Sequence, residues 1–402
     1  SSSSFPSCLT YLGLIAIPEY LPARTKTIRS PAAPTAAPYP HLMMGQPYGT
    51  TMVHDVTMRN PSHRVPTVSR SGPTDDPTPA WQVAFGGSIR AIATRDGDCY
   101  VSTGDGGVSS IAADGTPRWR TTTDGIVASA PAVVDDLAFV GSGDEHVYAL
   151  DAYTGSERWR FEADHSCATS SPAVVGGHLY VAAGDPVANG RVYALDAAYG
   201  TERWAFDTGG QLYSSPAAVD GIVFIGTCDP YVYALDARGG GERWAVETDA
   251  RMTSSPTVVD GTVYIGSAEG SLYALDAASG TTRWVFEANG GIESSPAVVG
   301  DTVYVGSNDG HVYAVDAVLG TERWAFAADG PVNTPVIADG TLYVGSSDRH
   351  VYALDPGSGA ERWSFETSDR IICPPVPADG ILYVGDVDGS LYALSDPEAA
   401  AD

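Results

Sequence analysis

Arginine is the residue type in this chain best placed to do binding chemistry. Of its 22 basic side chains only Lys26 is lysine, and they face 49 acidic ones, for a net charge of −27. A guanidinium in such surroundings pairs carboxylates bidentately and stacks on aromatic rings. Three arginines, Arg90, Arg251 and Arg370, fall where an otherwise regular sequence breaks its pattern, and His165, Gln211, Tyr213, Glu293 and Asn333 break it at corresponding places. Together they form a candidate set for holding an acidic or aromatic-bearing partner, with Tyr213 as a stacking platform. The alternative is that the arginines are internal struts to carboxylates such as Asp249, Glu293 and Asp369.

Other chemistries find less support. The eight histidines show no close metal-ligand spacing. His146, His311 and His350 occupy equivalent positions, so repetition explains them, with a ring of weak metal ligands as the alternative. Acidic residues recur in one class of turn (Asp105, Asp144, Asp185, Asp229, Glu269, Asp309, Asp348, Asp388). Each is expected to bond its own turn, calcium being the alternative. The serine pairs Ser214-Ser215, Ser254-Ser255 and Ser294-Ser295 have no His/Asp pattern that would make a nucleophile. Cys8, Cys99, Cys167, Cys228 and Cys373 are isolated, which argues against a disulfide framework. No catalytic residue and no metal site is assigned.

The elements that position these residues follow from a repeat. Trp81, Trp119, Trp159, Trp204, Trp244, Trp284, Trp324 and Trp363 are separated by 38, 40, 45, 40, 40, 40 and 39 residues. One unit reads cleanly at 294–299, 302–307, 311–316 and 322–326: four β-branched or aromatic pieces of five or six residues separated by turn residues. That is a four-stranded antiparallel meander. First strands are expected near residues 88, 127, 168, 213, 253, 293, 332 and 372. The eighth unit lacks a fourth strand, and an unpaired fourth strand at 80–85 precedes the first. The amino-terminal strand therefore closes the ring and removes the edges that an open array would expose. The fold class is all-β, an eight-bladed propeller over 79–396. Residues 1–78 read as a disordered leader or non-native extension, and 397–402 as an acidic tail.

Within the units a tighter pattern recurs: Ala, any residue, Asp, three residues, Gly, three residues, Trp. It runs from Ala149/Asp151/Gly155/Trp159 through to Ala353/Asp355/Gly359/Trp363, six copies without a gap. The Ala leaves room for an indole, the Gly permits a positive φ, and the Asp bonds turn amides. Each buried indole contributes roughly 5 kcal/mol gross. These residues are structural. The pattern resembles the tryptophan-docking motif of the pyrroloquinoline-quinone-type propeller repeats and covers essentially all of 79–396. The first unit departs by two residues before Trp119, and the eighth has Ser395 in place of Asp.

That resemblance implies an eight-bladed propeller shared by two groups. One comprises quinone-dependent alcohol and sugar dehydrogenases. The other comprises non-catalytic binding proteins, such as the lipoprotein scaffold of the outer-membrane β-barrel assembly machine. The dehydrogenases have longer insertions, often adjacent cysteines, and a calcium clamp of Glu, Asn and Asp. Here the one sizeable insertion is at 185–191, no cysteines are adjacent, no Cys-x-x-Cys-His run offers a haem, and no residues match the clamp. The chain is accordingly read as closer to the scaffolds, with no cofactor; quinone with calcium is the alternative.

Charge narrows the partners. Residues 1–70 carry a balance of +4, which leaves −31 on residues 71–402. Such a body repels phosphate backbones and anionic lipid, and no apolar run is long enough to span a bilayer. Near-absence of lysine with retained arginine suggests an extreme halophile. In an up-down-up-down blade, one face carries the monotonous Val-Val-Asp-Gly and Asp-Ala-x-x-Gly turns. The other carries the second-to-third strand turns and the blade-to-blade connections, and differs in every blade. The eight candidate residues lie on that variable face, at the starts of the innermost strands around the central channel. The reading is a monomeric, non-enzymatic scaffold that binds a protein or peptide there, or a small ligand in the channel. A quinoprotein dehydrogenase and a ligand-sensing module of a signalling protein are the rivals.

Overall fold

The computed structural model describes residues 72–73, 76–184 and 190–397. The leader up to residue 71, residues 185–189 of the insertion and the tail beyond 397 lie outside the described residues. The rest forms eight four-stranded antiparallel sheets. Among the described residues there is no helix long and apolar enough to cross a membrane. Blade 1 comprises residues 89–122, blade 2 132–162, blade 3 173–207, blade 4 217–247, blade 5 257–287, blade 6 297–327 and blade 7 336–366. Blade 8 is assembled from both ends, in the order Thr78–Ala84, Ser390–Ser395, Ile381–Gly385, Val376–Ala378.

The core lies between blades. In one cluster Phe139, Val147 and Ala149 of blade 2 pack with Leu179, Val181, Tyr193 and Leu195 of blade 3. A blade alone cannot bury its apolar faces, so each depends on its neighbours. The tryptophans fasten this arrangement. Trp119 donates its indole N–H to the Ala152 carbonyl of the next blade at 2.9 Å, and Trp284 does the same to Ala317 at 2.9 Å. A Cβ on Gly320 (φ +68°) would lie 2.7 Å from the Trp284 ring. Asp151 accepts the amides of Tyr153 and Thr154, as expected of the turn aspartate. Trp81, from the amino-terminal strand, reaches Ala113 of blade 1 at 2.7 Å and so carries the docking across the closure.

The first strands differ from expectation. In blades 2 to 8 they are three residues long, as in Ala217–Val219 and Thr257–Val259, and begin about four residues later than the sequence predicts. The cause is the Ser-Ser-Pro segment, where proline has no N–H for a ladder and serine hydroxyls take over. The first serine bonds its own blade: Gly226 and Gly266 donate their amides to Ser214 and Ser254 Oγ at 3.2 and 2.6 Å. The second bonds the preceding blade. Ala130 N–H donates to Ser171 Oγ, Ser171 to Ser215, Ser215 to Ser255, Ser255 to Ser295 and Ser295 to Thr334, at 2.8 to 3.3 Å. This chain of bonds stitches blades 2 to 7 around the channel and ends at Pro374 of blade 8, which has neither hydroxyl nor N–H.

The seam between blades 7 and 8 is incomplete for a related reason. With Ser395 and Asp396 where other blades have Asp-Ala, the buried Trp363 Nε1 has no partner among the described residues. Tyr304 donates its hydroxyl to Pro356 of the next blade, whereas Tyr343 donates to Pro73, at 2.9 Å in each case. Gly72, Pro73 and Pro77 are buried, and the closing strand starts at Thr78, one residue before the expected boundary. Starting the chain at Thr78 instead of Ser71 should therefore cost about 1 kcal/mol for the lost hydroxyl bond, a melt lower by a few degrees. Equal melts would show that residues 72–73 merely lie on the seam.

Candidate functional site

The rim is built from one buried anchor per blade. Ile89, Val127, Cys167, Leu212, Met252, Ile292, Val332 and Ile371 are each nearly inaccessible to solvent. Six of them, all but Val127 and Leu212, pack on the glycine ending the preceding blade's second strand: a Cβ on Gly385 would lie 2.4 Å from Ile89 Cγ2, and one on Gly345 2.5 Å from Ile371 Cγ2. In extended backbone the residues before and after a buried one face the opposite side. That alternation turns Gln211 and Tyr213, Arg251, Glu293, Arg370 and Arg90 away from the core. Arg251 and Arg370 are exposed, while Arg90, His165, Gln211, Tyr213 and Glu293 are partly buried.

The eight candidates fall into separate groups. Arg90 and Arg370 lie within one another's field at the seam of blades 8 and 1, where burial first, and then the positive charge of Arg370, lower the Arg90 pKa. Arg251 faces Glu293 and Cys228. Burial pushes the Glu293 carboxyl up, against a hydrogen bond to Asn308 and the charge of Arg251. Burial likewise raises Cys228 to about 11, with Arg251 opposing. Tyr213 donates its hydroxyl to Gln211 Oε1 at 3.2 Å. His165 stands next to Ser166, whose carbonyl accepts the Gly184 amide at the edge of the insertion. Asn333 is a strut: it is buried, and its Nδ2 donates to the Ile371 carbonyl at 2.6 Å, tying blade 7 to blade 8.

The arginines are divided by their partners. Among the described residues every arginine forms an ion pair with a carboxylate except Arg90, Arg238, Arg251 and Arg370. Many follow one rule, with Arg203, Arg243, Arg283, Arg323 and Arg362 each reaching the aspartate seven residues upstream. Three of the four exceptions are rim residues. Of the carboxylates considered as strut partners, Asp249 accepts from Tyr273 and Asp369 Oδ1 accepts the Arg370 backbone amide, while Glu293 shares the field of Arg251 without a direct ion pair among the described residues.

The repeat histidines and turn aspartates serve their own blades. His146 and His350 Nδ1 lie 2.8 and 3.2 Å from the carbonyls of Asp144 and Asp348. Asp309 accepts from the His311 amide, the Tyr313 hydroxyl and the Asn289 amide. Sequence reasoning passed over the large apolar side chains of the opposite face. Tyr153, Tyr199, Val318 and Leu319, at the free positions of the Asp-Ala-x-x-Gly turns, are 65–76% exposed. Between blades 6 and 7 a cavity of about 340 Å³ is lined by Val299, Arg323, Trp324 and Pro356. The signal was present as blade-to-blade variation inside an otherwise monotonous turn.

A quinone with its calcium is the alternative cofactor that the family resemblance implies. Among the described residues no three of His, Cys, Asp or Glu converge at metal-binding geometry. Asn333 spends its amide inside the fold, Glu293 is drawn to Asn308, and Cys99, Cys167, Cys228 and Cys373 are free thiols.

These features define a class: a closed eight-bladed propeller, acidic over its body, with unpaired arginines on one channel rim. The chain belongs to the family described as outer membrane protein assembly factor BamB, whose model matches residues 67–187, 188–334 and 308–400. It is similar to BamB of Burkholderia pseudomallei (strain K96243), 32% identical over 82 residues, and to the serine/threonine-protein kinase AfsK of Streptomyces griseus, 31% identical over 102. These matches cover 20% and 24% of this chain but only 22% and 13% of those relatives. In fold it is similar to BamB from Moraxella catarrhalis, with a TM-score of 0.68 and 24% identity over 80% of this chain and 98% of that one. It is also similar to the quinohemoprotein alcohol dehydrogenase from Comamonas testosteroni, with a TM-score of 0.69 and 16% identity over 81% and 78%.

Proposed function

We propose that this propeller is a non-enzymatic scaffold whose variable rim binds an acidic protein or peptide segment through Arg90, Arg251 and Arg370, with Tyr213 as a stacking surface. The observation that carries the reading is the pairing pattern: carboxylates are abundant, yet the rim arginines form no ion pair among the described residues. Family membership supports a binding role, since the relatives that share it are named as assembly factors. The partner binds a body of net charge −27, adapted to the high salt of a halophile's cell.

Arg251→Ala and Arg370→Ala should each weaken capture of the partner from a native high-salt lysate by about tenfold or more, as loss of a charged hydrogen-bond partner does. Both side chains are exposed and unpaired, so the melts should stay within about a degree. Lowered melts with capture spared would make the arginines struts and move the binding face elsewhere. A second reading, a ligand-sensing module of a signalling protein, draws on the kinase similarity. It requires saturable small-molecule binding in the channel, which the scaffold reading does not.

A further inference from the structure

We propose that Arg90 and Arg370 together form a carboxylate-binding subsite at the seam of blades 8 and 1, taking a side-chain or C-terminal carboxylate of the bound peptide. This rests on the rim reading above and narrows it to one place on the ring.

The two arginines are held beside each other by consecutive residues of one turn. Ile89 N–H donates to the Asp386 carbonyl and Val387 N–H donates to the Arg370 carbonyl, both at 3.0 Å. Gly104 clears the space that Arg90 occupies, since a Cβ there would lie 3.1 Å from Arg90 Nε and 2.7 Å from Ser88 Oγ. Arg90 Nε is buried and has no acceptor among the described residues. Two guanidiniums so placed repel one another unless an anion lies between them.

Among the described residues the fold supplies none. Asp105, adjacent to Gly104, is held by Arg120 and Thr103. Asp386 is fully buried and accepts from the Ser390 amide and the Ser368 hydroxyl. Asp369 turns to its neighbour's amide. Arg251 is a different case, because Glu293 already shares its field. The serine stitch also stops here, with Pro374 and Cys373 in place of the hydroxyl pair. A carboxylate suits the pair's fork geometry, and a body at −27 penalises a phosphate dianion more than a monoanion.

The test is calorimetric titration of the full chain, at the lowest salt that keeps it folded, with three probes. They are an N-acetylated tetraglutamate amide, an N-acetylated tetraalanine with a free carboxyl terminus, and inorganic phosphate. One of the two peptides should bind, and which one identifies the source of the carboxylate. Arg370→Gln should weaken it about tenfold or more with the melt unchanged. Arg90→Lys, which keeps the charge but loses the fork, should weaken it as well. Arg238→Gln, the same charge change on the opposite face, should leave it unaltered. Phosphate binding more tightly than either peptide, or affinity indifferent to Arg370→Gln, would overturn the subsite. Loss at Arg251→Gln with Arg370→Gln unaffected would move the carboxylate to blade 5, overturning the pair and leaving the rim reading intact. Absence of peptide binding overturns the pair alone, because partner capture by the Arg251→Ala protein judges the rim separately.

Discussion

A chain beginning at Gly87 should lose its cooperative thermal transition or melt about ten degrees or more below the full chain. It lacks the strand Thr78–Ala84, whose residues pair with Ser390–Ser395 in a ladder from Thr78↔Ser395 to Ala84↔Ser390. It also lacks Trp81, which docks on Ala113 and packs in the cluster of Ile89, Ile92, Cys99 and Tyr383. One strand edge, that of Ser390–Ser395, would then be unpaired, which invites association between copies. Trp81→Ala separates the two contributions. It keeps the ladder and removes the indole, at a cost of about 3 kcal/mol. Melting curves of the full chain, the Trp81→Ala protein and the shortened chain should fall in that order. Equal melts for the first and last would mean that the ring closes without this strand.

How much of this was readable in advance depends on which interactions repeat. The tryptophan spacing and the Asp-Ala-x-x-Gly turn recur because every blade needs the same indole seat, so blade count, closure and strand order follow from residue types alone. The short first strands were hidden because Ser-Ser-Pro reads as β-compatible. Its hydroxyls bond the neighbouring blade, as in Ser215 N–H to Ser255 Oγ, and that is a partner forty residues away. At the rim, broken repetition pointed to Arg90, Arg251 and Arg370, since a one-off residue stands out against eight copies. It could not tell a displayed side chain from a strut. Asn333 breaks the pattern as sharply as Arg370 does, yet it is buried on the Ile371 carbonyl. Nor could it show that Arg90 and Arg370, far apart in sequence, fall within one another's field, because both are anchored on the 386–387 turn only once the ring is closed.

The same closed ring should depend on salt. Residues 71–402 carry a balance of −31, and their mutual repulsion opposes the compact state. Salt also weakens the opposing attractions, the repeated arginine–aspartate pairs such as Arg283–Asp276 and Arg362–Asp355. Which effect wins follows from number and exposure. The paired arginines neutralise only a minority of the carboxylates, and solvent-exposed pairs contribute little to stability in water. The excess negative charge remains, and the paired carboxylates stay ionised as well: Asp276 is held down to about 2, first by its bond from Arg283. At 1 M salt the screening length falls to about 3 Å, shorter than the spacing of most surface carboxylates. Screening therefore removes more repulsion than attraction. Native circular dichroism should be lost below a few tenths molar salt and return on addition of potassium chloride. The melt should climb steadily with concentration above that point. A melting temperature indifferent to salt between dilute buffer and molar concentrations would show that the interblade cores and the serine stitch outweigh the charge, and would remove the halophile reading.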